Sequence, residues 1–142
     1  MTQSRWFVTL GAISGAVAVI AGAFGAHGLA DILGRDALGV FRTASNYQLI
    51  HSLALCLIGV WLDSPTGSAS GRSSGGKWLR WAGWSMLIGI IGFSGSLYML
   101  ALSGAGSGGA GNGPGWVGPL TPIGGLCFVV GWLALAGAAT RT

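Results

Sequence analysis

The charged residues of this chain fall in clusters, and the gaps between the clusters constrain its fold more than any other feature. No Asp, Glu, Lys or Arg lies between Arg5 and Asp31, between Arg42 and Asp63, or between Arg80 and Arg141, which leaves uncharged runs of 25, 20 and 60 residues. A helix that crosses a bilayer needs about 20 predominantly apolar residues. The first two gaps therefore each hold one span, and the third has room for two. Composition agrees: 51% of the 142 residues are hydrophobic and 7% are charged. A soluble domain carries about 25% charged residues, so this chain has too little charge to cover a water-facing surface.

The third gap divides itself. Ser103 to Gly118 reads SGAGSGGAGNGPGWVG, with Gly at eight of sixteen positions. Such a segment loses much backbone entropy on becoming helical and lacks apolar periodicity. The expected spans are 6–26, 43–62, 78–102 and 119–139, within one integral membrane domain covering 1–142. Trp6, Trp61, Trp78, Trp81 and Trp116 stand near the span ends, where indole rings favour the headgroup region. Trp84 and Trp132 stand deeper. The small residues Ala21-Gly22-Ala23 resemble a signal-peptidase site, but the first apolar run is longer than the usual 7–15-residue core of a signal peptide.

Charge also predicts orientation. If both termini share a side, Arg5, Arg72, Lys77, Arg80 and Arg141 stand on it, and the opposite side has only Arg35 and Arg42. The positive-inside rule then places both termini in the cytoplasm and the protein in the cell inner (plasma) membrane. A net charge of +4 is explained by these topology determinants beside anionic lipid headgroups, so nucleic acid is not an expected partner. Cys56 and Cys127 fall at different depths in their spans and are expected to be unpaired thiols packed as small apolar groups.

Helices in lipid gain little from hydrophobic burial against each other, so close approach through small residues must hold them together. Three spans carry such a stripe. It comprises Gly11, Gly15, Ala18, Gly22 and Gly25 in the first, and Ala82, Ser85, Gly89, Gly92, Ser96 and Met99 in the third. In the fourth it comprises Gly124, Cys127, Gly131, Ala134 and Ala138. The second span has bulkier residues at this spacing: Ala44, Gln48, His51, Leu55 and Ile58. The expected fold is an all-α membrane protein, a compact antiparallel bundle of four transmembrane helices. Between the first two spans, HGLADILGRDALGVFR (His27 to Arg42) places Leu29, Leu33 and Val40 on one face and Asp31 four residues before Arg35 on another. That pattern suits a short segment in the membrane interface, or equally a polar loop that partly continues the first helix.

Strongly polar groups inside a span are costly and mark candidate functional positions. His51 stands about nine residues, or roughly 13 Å of helix, inward from Arg42. Tyr47 and Gln48 lie one turn before it and share its reach. His27 closes the first span, Ser94, Ser96 and Tyr98 line the end of the third, and Thr121 opens the fourth. Thr121 reads as an N-cap with Pro122 at the first helical position. His51 has two readings: a satisfied hydrogen-bonding group that fixes helix register, or a proton-relay or ligand residue. Haem ligation would need His27 and His51 to converge.

Other chemistry is missing its residues. GRSSGGKW (Gly71 to Trp78) imitates a phosphate-binding loop but has Trp78 where Ser or Thr should hold magnesium, and no strand precedes it. Nucleotide is therefore not expected. Asp31, Asp36 and Asp63 fall outside the expected spans and are expected in loops, no Cys/His group has zinc spacing, and neither catalytic residues nor cofactors are assigned.

Four strings taken together resemble the YgdD/YwdK-like family of small four-span inner-membrane proteins, a domain-of-unknown-function family with vertebrate relatives. They are GAFGAHGL (Gly22–Leu29), FRTASNYQLIHSLAL (Phe41–Leu55), FSGSLYMLAL (Phe93–Leu102) and TPIGGLCFVVGW (Thr121–Trp132). His27, Tyr47, Gln48, His51, Ser94, Ser96, Tyr98, Thr121 and Pro122 occupy motif positions. The Gly/Ser-rich loops at 64–76 and 103–118 depart from the pattern. The resemblance implies the topology and no activity. The expected role is packing: an accessory or assembly subunit of a larger membrane complex, or a homo-oligomer, among membrane lipids. The alternatives are a small transporter or proton-coupled component using His51, and a haem- or quinone-binding electron carrier.

Overall fold

The computed structural model describes residues 2–64, 74–103 and 114–141. Four helical spans cross in alternating directions. Helix α1 is Gln3–His27 and α2 is Arg35–Asp63. The third span consists of α3 (Ser74–Gly89), a π-helical turn (Ile90–Ser94) and α4 (Gly95–Ser103). Helix α5 is Val117–Ala139. All four are long and apolar enough to cross a membrane. Most of loops 64–76 and 103–118, including part of the Gly71–Trp78 string, lies outside the described residues.

Local chemistry explains the ends. Helix α1 stops where the Gly28 amide donates to the Phe24 carbonyl at 2.7 Å. Helix α2 stops at Asp63 because Ser64 precedes Pro65, which disfavours helical backbone in the residue before it; Ser64 is extended at ψ 156°. The segment 28–34 between α1 and α2 is a compact turn. Its Leu29 and Leu33 point back into the bundle, where they are buried with Ala37, Phe41 and Ala101. From Arg35 onward the expected interfacial segment is the start of α2, so Asp36 and Asp63, expected in loops, stand in its first and last turns.

Helix α5 begins earlier than the capping signal at Thr121 implies. The Val117 amide donates to the Pro114 carbonyl at 2.9 Å, and Val117 is fully buried, so the helix is anchored four residues before Thr121. Thr121 and Pro122 therefore lie inside α5, and Pro122 withdraws one donor from the helix. Pro119 sits in the first turn, where amides have no intrahelical acceptor anyway.

Spatial order follows chain order. Helix α1 packs along α2, α2 along the third span, and the third span along α5, while α1 makes its extensive contacts with α2 alone. At one end Ser4 Oγ donates to Asp63 Oδ1 at 3.0 Å, joining the start of α1 to the end of α2. At the same end the Arg141 guanidinium lies 4.8 Å from the centroid of the Trp78 ring. Both described chain ends thus share one end of the bundle.

Small residues set the spacing between helices. A Cβ built on Gly11 would lie 2.8 Å from the Ser52 carbonyl oxygen, and one on Gly59 2.7 Å from that of Ser4, so α1 and α2 touch backbone to backbone. Gly15, Gly22 and Gly25 continue this seam past Ser52, Ser45 and Phe41. The third span meets α5 in the same manner: Gly89 faces the Phe128 ring, Gly92 lies against Gly124, and Gly131 faces Met86. The place of a Cβ on Gly124 is occupied by the backbone of Gly92 and Phe93, within the π-helical turn. In α5 the buried line runs through Phe128 rather than Cys127, and Met99 of the third-span stripe is exposed. Phe7, Leu55, Ile58, Leu79, Met86 and Phe128 fill the remaining core.

Candidate functional site

Two groups of polar side chains occupy the interior. The first joins three spans around Gln48 of α2. Its Nε2 donates to the Ser14 carbonyl at 3.0 Å and to Ser14 Oγ at 3.2 Å, both on α1. Its Oε1 accepts from the Tyr98 hydroxyl of α4 at 2.9 Å. Ser52 Oγ, one turn further along α2, donates to Ser14 Oγ at 2.8 Å. Every polar atom of the Gln48 amide is therefore used across a helix boundary. That is what a buried amide requires in a medium without water.

The second group surrounds His51. Trp132 Nε1 of α5 donates to His51 Nε2 at 3.2 Å, and His51 Nδ1 lies 2.7 Å from the Tyr47 carbonyl. An indole nitrogen can only donate, so Nε2 accepts and the ring proton belongs on Nδ1, where the carbonyl receives it. The imidazole stacks on Phe128 at a centroid distance of 3.5 Å and an interplanar angle of 15°. Tyr47, on the exposed side, packs against Phe93 at 4.7 Å. His51 thus bridges α2 to α5, two helices that the third span otherwise holds apart.

The other expected site residues divide. Ser96 Oγ donates to the Phe93 carbonyl at 2.8 Å and lies 2.7 Å from Thr121 Oγ1, tying the third span to α5. Ser94 Oγ is buried in the π-helical turn with no hydrogen-bond partner among the described residues. His27 is exposed at the end of α1, far along the chain from the His51 group and on a helix that lies against α2 rather than α5. The two histidines do not converge, so the bis-histidine haem arrangement is not formed. Cys56 is free and its Sγ contacts the Val8 carbonyl at 3.6 Å; Cys127 is also free.

Three further residues, two of them members of these polar groups, were not singled out as site residues from the sequence. Ser14 is one of several serines in apolar segments and has no motif around it. By its depth in the span Trp132 reads as facing lipid or a partner, and it is 45% exposed, yet its one polar atom points inward. Asn46 lies on the exposed face of α2, about four residues or roughly 6 Å inward from Arg42. Its amide has no hydrogen-bond partner among the described residues. An asparagine inside a span was the available signal for it.

These observations define a polytopic, all-helical membrane protein whose spans are joined by small-residue seams and two interior polar groups. Comparison with known proteins gives the family. The family model described as "Protein of unknown function (DUF423)" matches residues 21–125, and the chain belongs to that family. A UPF0382 membrane protein of Staphylococcus epidermidis is 41% identical over 135 residues, 95% of each chain. One from Staphylococcus haemolyticus is 43% identical over 131 residues, 92% of each chain. The UPF0382 membrane protein YwdK of Bacillus subtilis is 36% identical over 135 residues, 95% of this chain and 96% of YwdK. No solved structure matches the chain.

Proposed function

We propose that this protein acts by helix packing in the cell inner membrane, as an accessory or assembly subunit of a larger membrane complex or as a homo-oligomer, and not as an enzyme. The observation that carries this reading is Asn46. The interior amide of Gln48 is fully bonded, while the Asn46 amide stands unpartnered on the outward face of α2 beside the exposed Tyr47. An amide facing lipid is stabilised by a hydrogen bond to another helix, which makes it an association point. Helix α1 supports the same reading: it is the least buried span and rests chiefly on α2, touching the third span through Phe7, which leaves most of its circumference available.

On this reading His51, Gln48, Ser96 and Thr121 hold register, with Gly11, Gly15, Gly22, Gly25, Gly89, Gly92, Gly124 and Gly131 supplying close approach. The proton-coupled alternative fits less well, because both nitrogens of His51 are already engaged and its nearest ring neighbours are aromatic. The basic residues Arg5, Lys77, Arg80 and Arg141 favour a cytoplasmic location for the end that carries both termini.

The test is solubilisation of the tagged full chain from its native membrane in a mild detergent, followed by mass measurement and identification of what travels with it. The expected result is a discrete assembly larger than a monomer that Asn46→Leu dissociates. Model-peptide magnitudes of about 1–2 kcal/mol for such a contact correspond to roughly a tenfold weakening. A monomer that carries no other protein, with Asn46→Leu indistinguishable from it, would refute the reading.

A further inference from the structure

At the end of the bundle shared by the termini, a cavity of about 510 Å³ opens between the start of α1 and the end of α2. Its lining includes the polar Ser4, Arg5 and Asp63 and the apolar Val8, Gly59 and Val60. Its volume falls within the range of small-ligand clefts. Arg5 and Asp63 carry opposite charges and line the same space, yet no ion pair joins them among the described residues. Asp63 is instead held by Ser4, whose hydroxyl donates to one carboxylate oxygen and is itself 2.8 Å from Thr2 Oγ1.

The position of the cavity in the bilayer narrows its occupant. Trp6 and Trp61 stand beside Arg5 and Asp63 in sequence, and indole rings mark the headgroup level. Arg5 and Asp63 bring charge to its lining, and Val8 and Val60 follow about one turn inward on the same two helices. A molecule that fits must present both a negative and a positive group at its head and continue into hydrocarbon.

We propose that this cavity binds an ethanolamine-type phospholipid, with its phosphate on Arg5, its primary ammonium on Asp63, and an acyl chain along Val8 and Val60. A guanidinium suits phosphate oxygens, and a carboxylate accepts charge-assisted hydrogen bonds from an ammonium. A choline headgroup has the same net charge but no N–H to donate. A purely anionic glycerol headgroup satisfies Arg5 and leaves Asp63 facing negative charge. The cavity therefore discriminates between headgroups by hydrogen bonding as well as by charge.

The experiment is native mass spectrometry of the purified full chain in detergent with phosphatidylethanolamine, phosphatidylcholine or phosphatidylglycerol added at equal concentration. Phosphatidylethanolamine is expected to be retained about tenfold better than phosphatidylcholine, the worth of a hydrogen bond to a charged group. Asp63→Asn removes that preference, Asp63→Glu keeps it, Arg5→Gln weakens both lipids, and Lys77→Gln changes neither. Because the preference is a ratio within each variant, loss of folded protein does not imitate it. Equal retention of phosphatidylglycerol, or a preference that survives Asp63→Asn, would overturn the proposal. So would displacement of the lipid by equimolar glycerophosphoethanolamine, which would assign the site to a free phosphoamine instead.

Discussion

Gly124→Ala tests the packing of the third span against α5 at its tightest point. The added methyl would fall on the backbone of Phe93, 2.6 Å from the Gly92 carbonyl carbon and 2.8 Å from Phe93 Cα. Backbone atoms cannot rotate aside, so the two spans must separate. Separation also loosens the neighbouring contacts of Gly92 with Gly124 and Ser96 with Thr121. Gly125→Ala is the matched control. One residue away, its methyl would meet the Phe93 ring at 3.6 Å, an ordinary contact. Both substitutions carry the same gain in helix propensity, up to about 1 kcal/mol, so the difference between them isolates the clash. Overpacking of this kind costs about 1–3 kcal/mol. Thermal unfolding in mild detergent, followed by tryptophan fluorescence, should place Gly124→Ala several degrees below Gly125→Ala, with the control at or above the parent chain. Equal midpoints for the two variants would refute a backbone-to-backbone seam.

Four shorter predictions follow from the polar groups and the topology. Ser94→Ala should leave the unfolding midpoint unchanged or raise it, because it removes a buried hydroxyl with no partner. Ser14→Ala should lower the midpoint, because Ser14 Oγ is shared by Gln48 and Ser52 and its loss leaves both short of a partner. Trp132→Phe and His51→Leu should show a coupling near 0.6 kcal/mol in a double-mutant cycle, the average for such contacts in membrane helices, about as large as the bond alone warrants; a coupling of zero would mean that the bond contributes nothing. Single cysteines at Thr2 and Thr140, in a chain with Cys56 and Cys127 replaced, should react with a membrane-impermeant maleimide from one side of sealed vesicles. A cysteine at Asp31 should react from the other side only.

The number and order of spans were legible in the sequence because charge is nearly absent from the lipid-embedded stretches, and three uncharged runs counted the crossings. The glycine spacing in 11–25 likewise maps onto one face of α1, because a stripe with that period has a single side to present. Helix ends were less legible. Thr121-Pro122 carries a strong local capping signal, yet burial of Val117 and the turn at Pro114 start α5 earlier. Partners were least legible. His51 stood out as an ionisable side chain in a span, but nothing in the order of residues pairs it with Trp132, which is 81 positions away. Ser14 has the same difficulty, since its role arises only where α1 lies against α2. Tertiary context alone distinguishes a serine that bonds across a seam from one that bonds to its own helix.

Because each span rests chiefly on the span made just before it, this chain has no need to hold an early helix in reserve for a late one. The α1–α2 hairpin can close during synthesis, and the third span and α5 can then be laid on in turn. The same succession makes the protein divisible. Two fragments cut between α2 and α3 and produced together would each begin as a self-contained hairpin, and Gln48–Tyr98 and His51–Trp132 would be the stitches that rejoin them.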